Sequence, residues 1–279
     1  MINNVQSLKD RVRNFLKLTG LNHNQIIQNF MFEKFLERLS VSKYKDCFVL
    51  KGGCLLSSIM GVKIRSTRDI DFNITGINFN LNEIKKIVSD IIEINLVDNI
   101  TFEIANIEEI KEEQEYEGYR FTLLCKFENI KVNFHLDIST GDIMTPNSIN
   151  YSYKKLLEEE YISLMTYNFE TIIAEKLQSI LDKKIVNSRM KDYYDIYYFV
   201  NYRWNDLDTT NLKRAILRTF EHRETVGDLS RVEEIINKIK IDNTMNNLWK
   251  MYREKYDYLC SIEFDACLFA IQKILAIIE

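Results

Sequence analysis

The apolar side chains of the first forty residues recur at three- and four-residue intervals. The clearest run extends from about Asn24 to Leu39. Its apolar members are Ile27, Phe30, Met31 and Phe35. This spacing places them on one face and predicts a helix. The same reasoning predicts a shorter helix that ends near Met60 and another that starts at Leu81, with Asn80 as its capping residue.

Short apolar or alternating runs predict strands further along the chain. Residues 47–50 are wholly apolar, which favours a buried strand. Ile70 and Phe72 then alternate with Asp69 and Asp71. This alternation is typical of a half-buried strand with its carboxylates on the open face.

The strand signals fade after Pro146. From about Tyr153 to the end, the apolar residues follow long helical patterns. We therefore predict two domains. Residues 1–150 would form a mixed α/β domain with N-terminal helices, and residues 151–279 would form an all-helical domain.

The composition narrows the class of protein. Of the 279 residues, 46% are apolar and 28% are charged, as in soluble globular proteins. No apolar stretch is long enough to span a membrane, and the polar start is unlike a signal peptide, so a cytoplasmic protein without a membrane partner is expected. The five scattered cysteines suggest reduced thiols. The net charge of −4 is weak evidence against a nucleic-acid partner.

Gly52 and Gly53 lie between the first predicted strand and the short helix after it. Glycines there let the backbone approach a phosphate, and the N-terminus of the helix offers free N–H groups to an anion. A tight strand-to-helix turn without any ligand is the alternative interpretation.

Asp69 and Asp71 project from the same face of their strand because they are two residues apart. Neighbouring carboxylates repel unless a cation lies between them, and Mg²⁺ bound by carboxylates and substrate phosphates is the usual solution. A solvated strand face, with Arg65 and Arg68 paired to the aspartates, is the alternative. The glycine turn that precedes the pair favours the functional interpretation.

Asp137 is a candidate third metal ligand. The runs 120–127 and 130–138 predict a hairpin, and Asp137 ends the polar face of its second strand. If this strand neighbours the one that carries Asp69 and Asp71, three carboxylates converge. Alternatively, Asp137 only caps the turn that follows.

Lys176 falls inside an apolar helical stripe formed by Phe169, Ile172, Ile173, Leu177 and Ile180. A lysine in that position must reach solvent or meet an anion, either a triphosphate or a buried aspartate. Asp192 and Asp195 share one face of a later helix. Either could orient Lys176 or act as a base on an attacking hydroxyl, and a salt bridge between helices is the alternative.

The order of these motifs resembles the AbiEii/AbiGii toxin family of nucleotidyltransferases. The segments concerned are Lys51–Leu55, Arg65–Phe72, Ala174–Leu177 and Arg189–Asp195. The resemblance implies an α+β fold, in which a polymerase-β-like nucleotidyltransferase domain with a mixed sheet is followed by an all-helical domain. It also implies a toxin with a separately encoded antitoxin as partner.

The resemblance implies roles for particular residues. Asp69 and Asp71 would hold Mg²⁺ or Mn²⁺, Lys176 would contact the phosphates of a nucleoside triphosphate, and Asp192, or else Asp195, would be the later essential carboxylate. The candidate nucleotide-binding residues are Gly52, Gly53, Cys54, Arg65 and Lys176. Cys54 departs from the family pattern, which has a small hydroxyl residue there, and this puts the strength of triphosphate binding in doubt.

The acceptor of the nucleotide is the least defined part of this prediction. Some family members transfer nucleotides to the 3′ end of tRNA, which makes tRNA the leading expectation. A protein side chain or a small molecule is an alternative acceptor for the same chemistry. A non-catalytic nucleotide-binding or partner-binding module is a third interpretation.

Overall fold

The structure is a computed structural model that describes residues 2–19, 21–65, 67–111 and 117–278. Ser66, which belongs to the predicted Arg65–Phe72 motif, lies outside the described residues. The helices among them are α1 (Val5–Thr19), α2 (His23–Val41), α3 (Gly52–Met60), α4 (Leu81–Ile92), α5 (Phe169–Lys183), α6 (Met190–Tyr202), α7 (Thr209–His222), α8 (Val226–Leu229), α9 (Val232–Ile241), α10 (Asn243–Arg253) and α11 (Phe264–Leu275). The strands are β1 (Phe48–Lys51), β2 (Asp69–Ile74), β3 (Ile100–Lys111), β4 (Glu117–Phe127), β5 (Ile130–Thr140), β6 (Ile149–Lys154) and β7 (Tyr161–Thr166).

The strands form one mixed sheet in the order β3-β4-β5-β2-β1-β7-β6. The strand that carries the two aspartates, β2, lies in its interior. It pairs in parallel with β5 and antiparallel with β1. The N-terminal part of the chain therefore combines a mixed sheet with helices, which confirms the α+β class.

The two faces of β2 differ in chemistry. Ile70, Phe72 and Ile74 are buried. The Phe72 ring lies 6.4 Å from the ring of Phe35 in α2, measured between centroids. This apolar face therefore anchors β2 to the core, and alternation puts Asp69 and Asp71 on the opposite face.

Most elements of the first 140 residues follow the predictions. The helices α2, α3 and α4 and the strands β1, β2, β4 and β5 occur where they were predicted. The side chain of Asn80 accepts a hydrogen bond from the Glu83 backbone and caps α4. The prediction of helix from about Tyr153 onwards is wrong up to Thr166, because β7 and the end of β6 occupy that stretch.

The chain forms two compact units. The first consists of Met1–Asp142 and Ser148–Tyr167, and the second of Ile143–Asn147 and Asn168–Glu279. The sheet and α1 to α4 lie in the first unit, and α5 to α11 lie in the second. The predicted domains 1–150 and 151–279 stay a prediction. Within the described part of the chain, no helix combines the length and apolar character that crossing a membrane requires.

Candidate active site

The glycine turn places the start of α3 directly against Asp71. Gly52 has a φ of +64°, and a Cβ at this position would lie 2.1 Å from Asp71 Oδ2. Any other side chain would therefore clash with the carboxylate. The backbone N–H of Gly53 donates a hydrogen bond to Asp71 Oδ2 over 3.3 Å. In this structure the anion at the N-terminus of α3 is Asp71 itself.

Two other carboxylates, Asp69 and Asp137, act electrostatically on Asp71. Its neighbours in the sheet are Lys51 on β1 and Asp137 on β5. Burial, followed by the charge of Asp137, raises the pKa of Asp71, and the charge of Asp69 adds to this. Lys51 and the Gly53 N–H act in the opposite direction without cancelling the shift. A divalent cation would relieve this imbalance.

The position of Asp137 is as predicted, since β5 pairs with β2 and brings Asp137 opposite Asp71. Its carboxylate is already bound, however. Arg120 on β4 donates from Nε to Asp137 Oδ1 over 2.8 Å and from Nη2 to Oδ2 over 2.6 Å. These are the two parallel bonds of a bidentate ion pair. Asp137 thus has an arginine partner on the next strand.

Arg120 was not predicted as a site residue, although the sequence indicates its pairing with Asp137. A hairpin with the two-residue turn Glu128–Asn129 sets the register of its strands. Counting back from that turn pairs Arg120 with Asp137, which is the register observed. Opposite charges at directly paired positions indicate a cross-strand ion pair.

Lys51 is a second basic residue of this region that was not predicted as functional. Its ammonium group forms an ion pair with Asp142, and the hydroxyl of Tyr167 donates to Asp142 Oδ2 over 2.8 Å. Asp142 is therefore held by two donors, and it in turn fixes the lysine that lies beside Asp71.

Two of the predicted nucleotide-binding side chains are largely enclosed. The Cys54 residue is 1% exposed, and burial, followed by the charge of Asp71, raises the pKa of its thiol to about 12. The thiol is neutral at physiological pH and interacts with buried Tyr153. Arg65 is 7% exposed, and its Nη1 lies 3.9 Å from the position that a Cβ on Gly53 would take.

The second unit contains the other predicted cluster. Lys176 on α5 has its Nζ 2.7 Å from Asp192 Oδ1 and 2.7 Å from Asp195 Oδ2, both on α6. Arg189 Nε lies 3.2 Å from the other oxygen of Asp192. Burial acts to raise the pKa of Asp192, but the charges of Lys176 and Arg189 outweigh it and lower the pKa. The buried ion pair that was the alternative interpretation of Lys176 is therefore present.

One other group of carboxylates lies close together. Among the described residues, only Glu37, Glu158 and Glu160 form a set of three carboxylates that each place one oxygen within 4.8 Å of the others. The ammonium group of Lys155 bonds all three, over 2.6 Å to Glu37 and 2.9 Å to Glu158. This space is filled by a lysine, and the set is an ion-pair network.

Asp69 and Asp71 fit a divalent metal better. Their ligand atoms are carboxylate oxygens, which Mg²⁺ prefers. Burial raises the pKa of Asp71, and the negative charges of Asp137 and Asp69 raise it further, whereas the positive charge of Lys51 lowers it. These observations concern the donor set and its electrostatics, and the roles of the individual residues stay predictions.

Comparison with known proteins identifies a family that matches most of the chain. The family described as "Nucleotidyl transferase AbiEii toxin, Type IV TA system" matches residues 34–270. The curated proteins contain no match. A crystal structure described as a "putative nucleotidyltransferase from H. pylori" is 13% identical over 92% of this chain and 96% of its own, with a TM-score of 0.47.

A second solved structure, JHP933 from Helicobacter pylori, is 14% identical. It covers 92% of this chain and 93% of its own, again with a TM-score of 0.47. Similarity at this level carries no argument about fold or function. The family match, by contrast, extends over most of the chain and includes every predicted site residue.

Proposed function

Because the chain belongs to the AbiEii family of nucleotidyltransferase toxins from type IV toxin–antitoxin systems, we propose that it transfers a nucleoside monophosphate from a triphosphate to RNA. The proposed acceptor is the 3′ end of tRNA, and the modification would inhibit growth. The observation that carries the proposal is the half-buried aspartate at the glycine turn, where Asp71 meets both Gly52 and Gly53.

Asp69 and Asp71 are the residues we propose to hold Mg²⁺ or Mn²⁺. The ion, when bound, would neutralise negative charge on the triphosphate and on the reacting oxygens. The protein contributes the two carboxylates from one strand face, and the packing of Ile70 and Phe72 holds that strand in place. A strand gives such a pair a more rigid base than a loop would.

The turn at Gly52 and Gly53 is the proposed binding element for the triphosphate. The N-terminus of α3 favours negative charge, and the two glycines allow this backbone the close approach to an anion that it already makes to Asp71. Cys54 would contribute its backbone only, because its thiol is neutral and buried. Arg65 supplies a positive charge near Gly53.

The cluster of the second unit is proposed to serve the same reaction. Lys176 is the phosphate-binding candidate, and the carboxylates of Asp192 and Asp195 hold its ammonium group in one position. Lysine binds phosphate as a point charge, so its placement depends on such partners. Asp192 is the preferred essential carboxylate, with Asp195 as the alternative.

Two further parts of the proposal rest on the family. We assign a polymerase-β-like nucleotidyltransferase domain followed by a helical domain. A separately encoded antitoxin is expected as partner, because the family consists of the toxins of type IV toxin–antitoxin systems.

A labelling experiment tests the function directly. Purified protein is incubated with total bacterial tRNA, Mg²⁺ and each radioactive nucleoside triphosphate in turn. Asp71→Asn is the matched control, since it removes one charge with little change in shape. The proposal predicts that label enters tRNA with the unmodified protein and not with the variant, while both give the same circular dichroism spectrum.

Other outcomes redirect or refute the proposal. If label from a whole-cell extract enters protease-sensitive material and spares RNA, the acceptor is a protein. If no acceptor is labelled by the folded protein with any nucleotide, or Asp71→Asn labels tRNA equally well, the proposed catalytic role of this site is wrong.

A further inference from the structure

Arg120 presents an oriented guanidinium group beside the two aspartates. In the sheet it pairs with Asp137, which in turn pairs with Asp71. Paired residues of neighbouring strands project from the same face, so Arg120 lies on the face that carries Asp69 and Asp71. The hydrogen bond to Asp137 raises the pKa of Arg120, and the charges of Asp137, Asp69 and Glu108, its pairing partner on β3, add to this.

The bond to Asp137 leaves part of the guanidinium group available. A guanidinium has five N–H donors, and Asp137 engages Nε and Nη2. Nη1 has no hydrogen-bond partner in the described part of the chain, and the side chain is 36% exposed. Nη1 is therefore available to a ligand, which would share the guanidinium group with the nearby charge of Glu108 on β3.

The geometry also changes the interpretation of Asp137. Both of its oxygens accept hydrogen bonds from Arg120, and the ion pair fixes the plane of the guanidinium group. A fixed, planar cation with unused donors suits the oxygens of a phosphate group. A third metal-binding carboxylate would instead need its oxygens directed at the ion.

We infer that Arg120 binds a phosphate group of the reactants and that Asp137 is a positioning residue that aims Arg120 instead of binding metal. The inference rests on the proposed function, since that function supplies two phosphate sources. One is the triphosphate of the nucleotide, and the other is the phosphate backbone of the RNA acceptor.

The test measures binding of two probes, inorganic triphosphate with Mg²⁺ and total bacterial tRNA, by titration calorimetry. The variants are Arg120→Gln, Arg120→Lys and Asp137→Asn. The matched control is Lys126→Gln, since Lys126 lies on the same strand in an ion pair with Glu103. Mn²⁺ affinity is measured separately for Asp137→Asn and Asp69→Asn.

We expect Arg120→Gln to lower the affinity for one of the two probes about tenfold or more, because a charge-assisted contact is lost. Whichever probe is affected identifies the source of the phosphate. Arg120→Lys should weaken it less, Asp137→Asn should weaken the same probe, and Lys126→Gln should leave both unchanged. Mn²⁺ affinity should stay within twofold in Asp137→Asn and fall in Asp69→Asn.

Two results would overturn the inference. Unchanged binding of both probes in Arg120→Gln excludes Arg120 as a phosphate ligand, and a loss of Mn²⁺ affinity in Asp137→Asn as large as in Asp69→Asn makes Asp137 a metal ligand. The labelling experiment distinguishes failure of the proposed function from failure of this inference. If the unmodified protein labels no RNA, the proposed function is wrong, even where Arg120→Gln weakens binding of a probe. RNA labelling with unchanged probe binding in Arg120→Gln would refute this inference alone.

Discussion

The first unit contains two groups of three carboxylates that differ in how their charge is balanced. One is the site group, Asp69, Asp71 and Asp137. The other is the cage group, Glu37, Glu158 and Glu160, which surrounds Lys155. The oxygens of the cage group are the more closely gathered, yet the site group is the better candidate for a metal.

The difference lies in the cations present. The Lys155 side chain is 2% exposed and bonds every carboxylate of the cage group, and Lys34 Nζ lies 2.8 Å from Glu37. In the site group Arg120 binds Asp137 alone, and the pKa of Asp71 is raised. The ion pairs that a group of carboxylates already makes are therefore a better guide to a cation site than the distance between the carboxylates.

The largest expected effect is a loss of activity on substitution in the site group. Asp69→Asn should lower nucleotidyl transfer by about a thousandfold, because metal binding contributes several kcal/mol to the stabilisation of the transition state. Thermal stability should stay the same or rise, since a repulsive charge is removed. The rate of tRNA labelling and the melting temperature are measured on one preparation. A variant that melts far lower would show that the site group is structural.

The next largest effect is expected in the cage group, where a substitution should lower stability and leave activity unchanged. Lys155→Met should lower the free energy of unfolding by about 3 kcal/mol, because buried Glu158 and half-buried Glu37 would keep only Lys34 as a cation. Urea denaturation measures this loss, and activity per folded molecule should be unchanged. Mn²⁺ should raise the melting temperature of Lys155→Met more than that of the unmodified protein. Lys154→Met, from an exposed ion pair with Glu159, is the control and should change stability by less than about 1 kcal/mol.

Glu33 gives a prediction of pH dependence near the cage group. Burial raises its pKa from 4.5 to about 8, and the charge of Glu37 adds to this, while Lys34, Lys155 and the Leu156 N–H act against it. Between these two values the folded chain holds a proton that the unfolded chain has released. Stability should therefore fall as pH rises, by about 1.4 kcal/mol per unit.

Glu33→Gln removes this titration and is the matched comparison. The stability of the unmodified protein minus that of Glu33→Gln should decrease between pH 6 and pH 8 in urea denaturation. A difference that stays constant with pH would show that Glu33 is ionised throughout the range.

The smallest expected effect concerns Cys54. Cys54→Ser restores the hydroxyl that the family pattern has at this position. Because the side chain is 1% exposed and its thiol is neutral, the KM for the nucleotide should change less than about threefold, and stability should fall by about 1 kcal/mol. Steady-state kinetics measure the first and urea denaturation the second. A tenfold lower KM would mean that the side chain reaches the phosphate after all.

Much of the site could be predicted because its signals are local. The alternation around Asp69 and Asp71 fixes their common face, and two glycines after a strand indicate a turn. The prediction that Asp137 lies near Asp69 and Asp71 depended only on the pairing of β5 with β2, which is observed. The ion pair of Lys176 with Asp192 is one of the two alternatives that a lysine inside an apolar stripe left open.

The remaining features depend on contacts that are distant in the sequence. Strand β3 alternates only as far as Ile104, because its register shifts at a bulge between Ile104 and Asn106. Strand β7 is only six residues long and pairs with β1, more than a hundred residues earlier. The cage around Lys155 brings together α2 and the segment between β6 and β7. No local pattern reports such contacts.

The parallel pairing of β1 with β7 has a consequence for synthesis of the protein. When the strand of the glycine turn has left the ribosome, its outer partner is still about 110 residues from being made. At roughly 5–20 residues per second, this edge of the nascent sheet stays open for about 6–20 seconds. An unpaired edge is a site of aggregation, so premature termination or slow translation in this interval would yield insoluble, inactive chains.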